Sequence, residues 1–164
     1  MIWGEWGSDK IRRADLNGAN VEDLVTGLAC VQFITLGPDA ATNPWTDLGN
    51  GLAGSSGMPA LLCEGTLIAG DAVRLTLSNT TAGSTGLLVI GLSAVNTPIA
   101  GGLLVPSPTL LLPIATDGAG ELTIATHLPI GVPVGTTIYL QNWLNDIGGP
   151  FGWSASNAVL GTKP

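Results

Sequence analysis

From Trp45 onward every apolar run in the chain is short, ending at Gly, Pro, Asn or Ser before it reaches the length of an ordinary amphipathic helix. The 24 Gly and 11 Pro are scattered between those runs with no collagen-like triplet, so they read as turns separating many short strands. With 45% hydrophobic and 10% charged residues there is enough apolar material for one real core. Period-two alternation locates the strands. Val73, Leu75 and Leu77 alternate with Arg74, Thr76 and Ser78, and Leu122 and Ile124 with Glu121, Thr123 and Ala125, each pattern giving one buried and one wet face. Ile138, Leu140 and Leu144 face away from Tyr139, Gln141 and Trp143, which predicts a strand covered on both sides. Gly86–Leu92 and Leu110–Ile114 are continuous apolar runs, the pattern of strands that are central or buried on both sides. Turn chemistry lies between them, at Asn79–Thr85, at Thr116–Gly120 with an Asp-Gly step suited to a hairpin, and at Pro129–Gly135. The pattern predicts an all-β fold, an antiparallel β-sandwich of about eight to ten strands.

The first 28 residues differ from the rest. They hold 8 of the chain's 17 charged residues and are too few to bury a core of their own. The expected organisation is a short strand-forming segment at 1–28, a linker at 29–44 whose apolar patch at Val31, Phe33 and Ile34 can contribute an edge strand, and a sandwich at 45–164. Such a chain reads as the tail of a larger protein.

Charge narrows the partners. A net charge of −7, with only Lys10, Arg12, Arg13, Arg74 and Lys163 as basic residues, leaves no cluster able to neutralise nucleic acid or settle on an anionic membrane. Pro98, Pro106, Pro108 and Pro113 interrupt the most hydrophobic region, so no run reaches the length of a membrane span. Low Lys and abundant Thr, Ser, Gly and Asn suggest an extracellular or cell-surface location, with any export signal upstream or removed.

Reactive constellations are thin. Ser93, Asp117 and His127 follow the chain order of an α/β-hydrolase triad, but Gly91-Leu-Ser-Ala-Val95 lacks the second glycine of a nucleophile elbow. One His and two separated Cys make no transition-metal site, and Asp39, Asp47, Asp71, Asp117 and Asp146 each stand apart from other acids. No phosphate loop and no cofactor motif is present. No catalytic, cofactor or metal residue is therefore assigned. Cys30 and Cys63 could form one disulfide or remain thiols, and alternation puts Cys63 on the face of Leu61, which suits a small core residue. The remaining candidate surface is aromatic. Tyr139, Gln141 and Trp143 share a strand face, with Phe151 and Trp153 nearby in sequence, and flat rings beside an amide suit sugar stacking. Packing against a sheet, as the Trp of immunoglobulin-like domains does, is the more common use of such rings and the one favoured here.

Two resemblances accompany these patterns. Ile2-Trp-Gly-Glu-Trp6, Lys10–Gly18 and Val21–Val25 resemble one repeat of the YWTD β-propeller of lipoprotein-receptor-like and secreted bacterial proteins, departing from it at Gly4 and Glu5. A propeller needs neighbouring blades, so none of its ligand sites carries over. From Trp45 the chain is similar to a C-terminal module of large secreted proteins of environmental bacteria. The similarity rests on Trp45–Gly54, Gly91–Ser93, Gly101–Pro106, Thr116–Gly120, Leu140–Trp143 and Phe151–Asn157, with departures at Cys63 and Trp153. That resemblance carries no established activity and implies only a secreted β-sandwich; with the thin reactive constellations, the expectation is a non-catalytic module for cell-surface attachment, assembly or spacing. The partners expected are further copies, in an oligomer or filament built by β-augmentation, or a cell-surface glycan held by Tyr139, Gln141, Trp143 and Trp153.

Overall fold

The structure is a computed structural model that describes residues 2–5, 10–15, 17–26 and 43–164. The chain divides into two compact units, 1–40 and 41–164. The predicted linker patch at Val31, Phe33 and Ile34 lies outside the described residues.

The first unit contains three antiparallel strands, β1 (Ile2–Glu5), β2 (Lys10–Arg13) and β3 (Glu22–Val25), in sequential order. Asp23 in β3 accepts hydrogen bonds from Lys10 Nζ at 2.7 Å and Arg12 Nε at 2.8 Å, and Arg13 pairs with Glu22. Both cations hold the Asp23 carboxyl below the usual carboxylate range, the Lys10 hydrogen bond being the largest influence. These pairs are exposed, so they set strand register more than they add stability.

The second unit is an all-β sandwich, and among its described residues there is no α-helix. Its larger sheet runs β10 (Leu110–Ala115), β7 (Thr85–Gly91), β12 (Thr137–Asn145), β14 (Ala158–Thr162), β4 (Trp45–Gly49), with the stub β13 (Trp153–Ala155) beside β12. The smaller sheet runs β11 (Leu122–His127), β6 (Ala72–Ser78), β5 (Ala60–Glu64). All pairings are antiparallel.

Alternation decides what enters the core. Leu61, Cys63, Val73 and Leu75 from the small sheet meet Trp45, Leu88, Leu140 and Val159 from the large one. Gly161 in β14 lies under the Trp45 ring, where any added Cβ would collide with that ring and with Leu67. The indole Nε1 of Trp45 donates to Gly65 O at 3.0 Å, tying the large sheet to the end of β5.

A third layer covers the large sheet from outside. The hairpin β8 (Ala94–Ile99) and β9 (Gly102–Pro106) lies over β7 and β12. It packs Leu104 and Ala100 against Val89, Trp143 and Ala155. This cover is why β12 is buried on both faces from Leu140 to Leu144, as its sequence predicted.

Two expectations are corrected. Leu110–Ile114 is an edge strand and largely exposed, although its continuous apolar sequence predicted a strand central or buried on both sides. The Asp-Gly step at 117–118 does not make a hairpin, because β10 and β11 belong to different sheets. Asp117 Oδ1 instead accepts from Ala119 N and Glu121 N, closing a tight loop that carries the chain across the sandwich.

Cys63 is a free, buried thiol whose pKa burial pushes up to about 12; Cys30 lies outside the described residues. A thiol so protonated is a poor nucleophile. In a Cys30→Ser chain at pH 8, Cys63 is expected to react with a chromogenic disulfide reagent only after denaturation. Rapid reaction of the folded chain contradicts the core placement.

Candidate functional site

Of the two readings of the aromatic face, core packing or a stacking surface, Gln141 and Trp143 follow the first. Gln141 is fully buried and Trp143 is 6% exposed, because the β8–β9 hairpin covers that face of β12. Tyr139 and Trp153 are partly buried, and Trp153 joins Trp143, Leu104 and Leu111 in lining an apolar cavity of about 260 Å³. Phe151, 84% exposed at φ +52°, packs beside Gly101 at the hairpin turn.

Gln141 is the clamp of this layer. Its Oε1 accepts from Val105 N at 3.1 Å and Trp143 Nε1 at 3.2 Å. Its Nε2 lies within hydrogen-bond distance of the carbonyls of Leu103 at 3.1 Å, Asn50 at 3.2 Å and Ser156 at 3.3 Å. One side chain thereby bridges β9, the loop after β4 and the loop before β14, its two Nε2 hydrogens shared among the three carbonyls.

The residues of the triad order are used locally. Ser93 Oγ bonds to Ser107 Oγ, Asp117 closes its loop, and His127 ends β11 on the smaller sheet. Asp146, 4% exposed, accepts from Ser55 N and Oγ, Gly148 N and Thr81 Oγ1, joining three loops at one end of the sandwich. Among the described residues no three His, Cys, Asp or Glu side chains gather in a group able to hold a metal. No helix among them is long and apolar enough to cross a membrane.

The sheet edges distinguish one side of the sandwich from the other. An edge strand exposes unpaired backbone groups, and proteins ordinarily guard them with side-chain caps, Pro, charge or bulges. Among the described residues β5 is capped. Leu61 N donates to Asn157 Oδ1 at 2.7 Å, and Asn157 Nδ2 donates to Leu61 O at 3.1 Å. β4 carries Asp47 and a register break against β14.

β10 is guarded by proline. Thr116 N donates to Ser84 O, continuing the ladder from the Ala115–Thr85 pair and fixing its phase. Alternation then directs the backbone of Leu110, Leu112 and Ile114 toward β7, and that of Leu111, Pro113 and Ala115 outward. Pro113 puts its missing N–H on the outer edge, where a pairing strand would need it.

Among the described residues β11 has no such guard. Leu128 N donates to Asp71 O, so the same alternation bonds Leu122, Ile124 and Thr126 to β6. The backbone of Thr123, Ala125 and His127 points outward. The phase is consistent across the sheet, since it also directs Leu61 of β5 outward, where Asn157 meets it.

Beside this open edge lies a cleft. A three-stranded sheet does not span a five-strand path, and β10 lies beyond its cover. Leu110 is 49% and Leu112 is 38% exposed. With Ile124 and Thr126 they line an apolar cleft of about 450 Å³ that reaches into the core at Leu88 and Leu140.

The guards were missed in the sequence because Asn157 and Gln141 act through partners about a hundred and about forty residues away. Comparison of the chain with protein-family models, curated proteins and solved structures finds no match in any of the three.

Proposed function

We propose that this chain is a non-catalytic, extracellular β-sandwich module that attaches to or assembles with other protein through strand pairing. The observation that carries the reading is the asymmetry of the edges. Among the described residues β5, β10 and β4 are guarded, while no strand pairs with the outward backbone of Thr123, Ala125 and His127 on β11, beside an apolar cleft. Backbone N–H and C=O groups in a row recognise another strand. The buried positions of Gln141 and Trp143 favour this over the sugar-binding alternative, since stacking needs an exposed ring face. The YWTD-like strands at the N-terminus fit a module carried by a larger secreted protein.

Light scattering tests the reading. The measured mass is expected to rise above the single-chain 16.6 kDa with concentration. Ala125→Lys, which charges the open edge, is expected to hold it at the single-chain value. A wild-type chain that stays monomeric at every concentration, or multimers indifferent to Ala125→Lys, overturns the reading.

A further inference from the structure

We propose that the cavity beneath the β8–β9 hairpin is a binding site for one small, uncharged aromatic molecule of one or two rings. The site lies on the outer face of the large sheet, separate from the β11 edge and from the cleft between the sheets.

The strand register builds the floor. Leu111 pairs with Val89 and Leu87 with Trp143, and alternation puts all four side chains on the face turned away from the small sheet. Ile99, Ala100 and Leu104 of the hairpin form the roof, and Trp153 of β13 completes the wall. Two contacts hold the roof at its height. Gln141, on the same face of β12 as Trp143, bonds Val105 N and Leu103 O, the backbone groups on either side of Leu104. At the hairpin turn Gly102 already rests on Trp143, since a Cβ there would lie 3.1 Å from Cη2 of that ring. The hairpin therefore cannot settle further, and the cavity of about 260 Å³ is built into the third layer rather than left by slack packing. Ile99 and Leu111, both about half exposed, mark its mouth.

The chemistry of the guest follows from the walls. Their only polar side-chain atoms are the two indole nitrogens, and Trp143 Nε1 is already committed to Gln141 Oε1 at 3.2 Å. A water molecule needs at least about two polar partners to stay in such a space, and these walls do not supply them. A charged guest would enter without a counter-charge, because among the described residues no Asp, Glu, Lys, Arg or His lines the cavity. A sugar would leave its hydroxyl groups unpaired there. Size sets the number of rings. A dry apolar cavity of about 150 Å³ accepts one benzene ring, so about 260 Å³ leaves room for a second. The indoles of Trp143 and Trp153 favour a flat aromatic guest over a saturated one of equal size, through offset or edge-to-face contact.

The test uses the full chain with naphthalene as the probe, followed by methyl proton–carbon NMR. Ring-current shifts are expected at the methyl groups of Val89, Leu104 and Leu111, saturating with a single affinity, and none at Ile124 or Leu140 in the cleft. The melting temperature is expected to rise in naphthalene-saturated buffer. The charged 2-naphthoate and the saturated decalin are each expected to bind more weakly than naphthalene by about tenfold or more. Val89→Phe, which fills the floor, is expected to weaken naphthalene binding by a similar factor. Leu111→Phe, at the half-exposed mouth on an edge strand, occupies the same space and keeps the test decisive if Val89→Phe does not fold. Absence of saturable shifts up to the solubility limit of naphthalene overturns the proposal. So do shifts at Ile124 and Leu140 in place of the cavity methyls, or an unchanged affinity in a folded variant. Equal binding of 2-naphthoate or decalin overturns the ligand class.

Discussion

Gln141→Leu is expected to lower the unfolding free energy of the sandwich by roughly 3–5 kcal/mol, because it leaves several buried polar groups without partners. Leucine conserves most of the volume, so the loss reports hydrogen bonding more than a cavity. Val105 N–H and Trp143 Nε1 lose their acceptor, and the carbonyls of Leu103, Asn50 and Ser156 lose the two N–H donors that they share. None of these can recruit water readily while the hairpin covers β12, and an unpaired buried group costs about 1–3 kcal/mol. The hairpin is therefore expected to loosen first. Urea unfolding followed by tryptophan fluorescence would show a lower midpoint. Hydrogen exchange would show faster loss of the Val105 amide than of amides in β6. A change of less than about 1 kcal/mol would mean that packing of Leu104 and Trp143, rather than Gln141, holds the third layer.

The strands were legible where one face is wet. Val73, Leu75 and Leu77 alternate with polar neighbours because β6 has one buried face, and the structure buries those three. Two-sided burial of β12 was also legible, since apolar residues occupy one face and large amphipathic ones the other. Leu110–Ile114 misled because composition reports apolarity and not position. The run is apolar since its inner face lines the cleft and Leu111, on its other face, lines the cavity beneath the hairpin. Pro113 was the available signal, as proline in a strand marks an edge. What covers Tyr139, Gln141 and Trp143 was not legible, because nothing local reveals that a hairpin thirty-five residues upstream folds over them. The open edge was legible as a general expectation of strand pairing, but its location needed the register. Only the pairing of β5 with β6 and of β6 with β11 says which backbone groups point outward.

Asp146 gives the second large effect, and it carries a pH signature. Desolvation, the largest single influence on this carboxyl, raises its pKa. Hydrogen bonds from the Ser55 hydroxyl and amide, the Gly148 amide and the Thr81 hydroxyl outweigh it and hold the group below the usual carboxylate range. A carboxyl whose folded pKa is depressed contributes stability that is fully present above its unfolded value, about 3.9, and lost as pH falls through the folded value. Asp117 shifts the same way through the amides of Glu121, Ala119 and Gly120, so the sandwich is expected to lose stability below about pH 4. Asp146→Ala is expected to cost roughly 2–4 kcal/mol at pH 7, since the amides of Ser55 and Gly148 lose charge-assisted partners. The cost is expected to shrink as pH falls, because the wild-type carboxyl loses its advantage on protonation while the variant has none to lose. Gly54 provides an independent check on the same node. A Cβ there would overlap the Asp146 carboxylate and come within 2.7 Å of Ser154 Cβ, so Gly54→Ala is expected to displace the loop at Ser55 and weaken the same bonds. Parallel pH profiles of wild type and Asp146→Ala between pH 7 and pH 3 would contradict this account, since a purely steric role for Asp146 predicts a difference independent of pH.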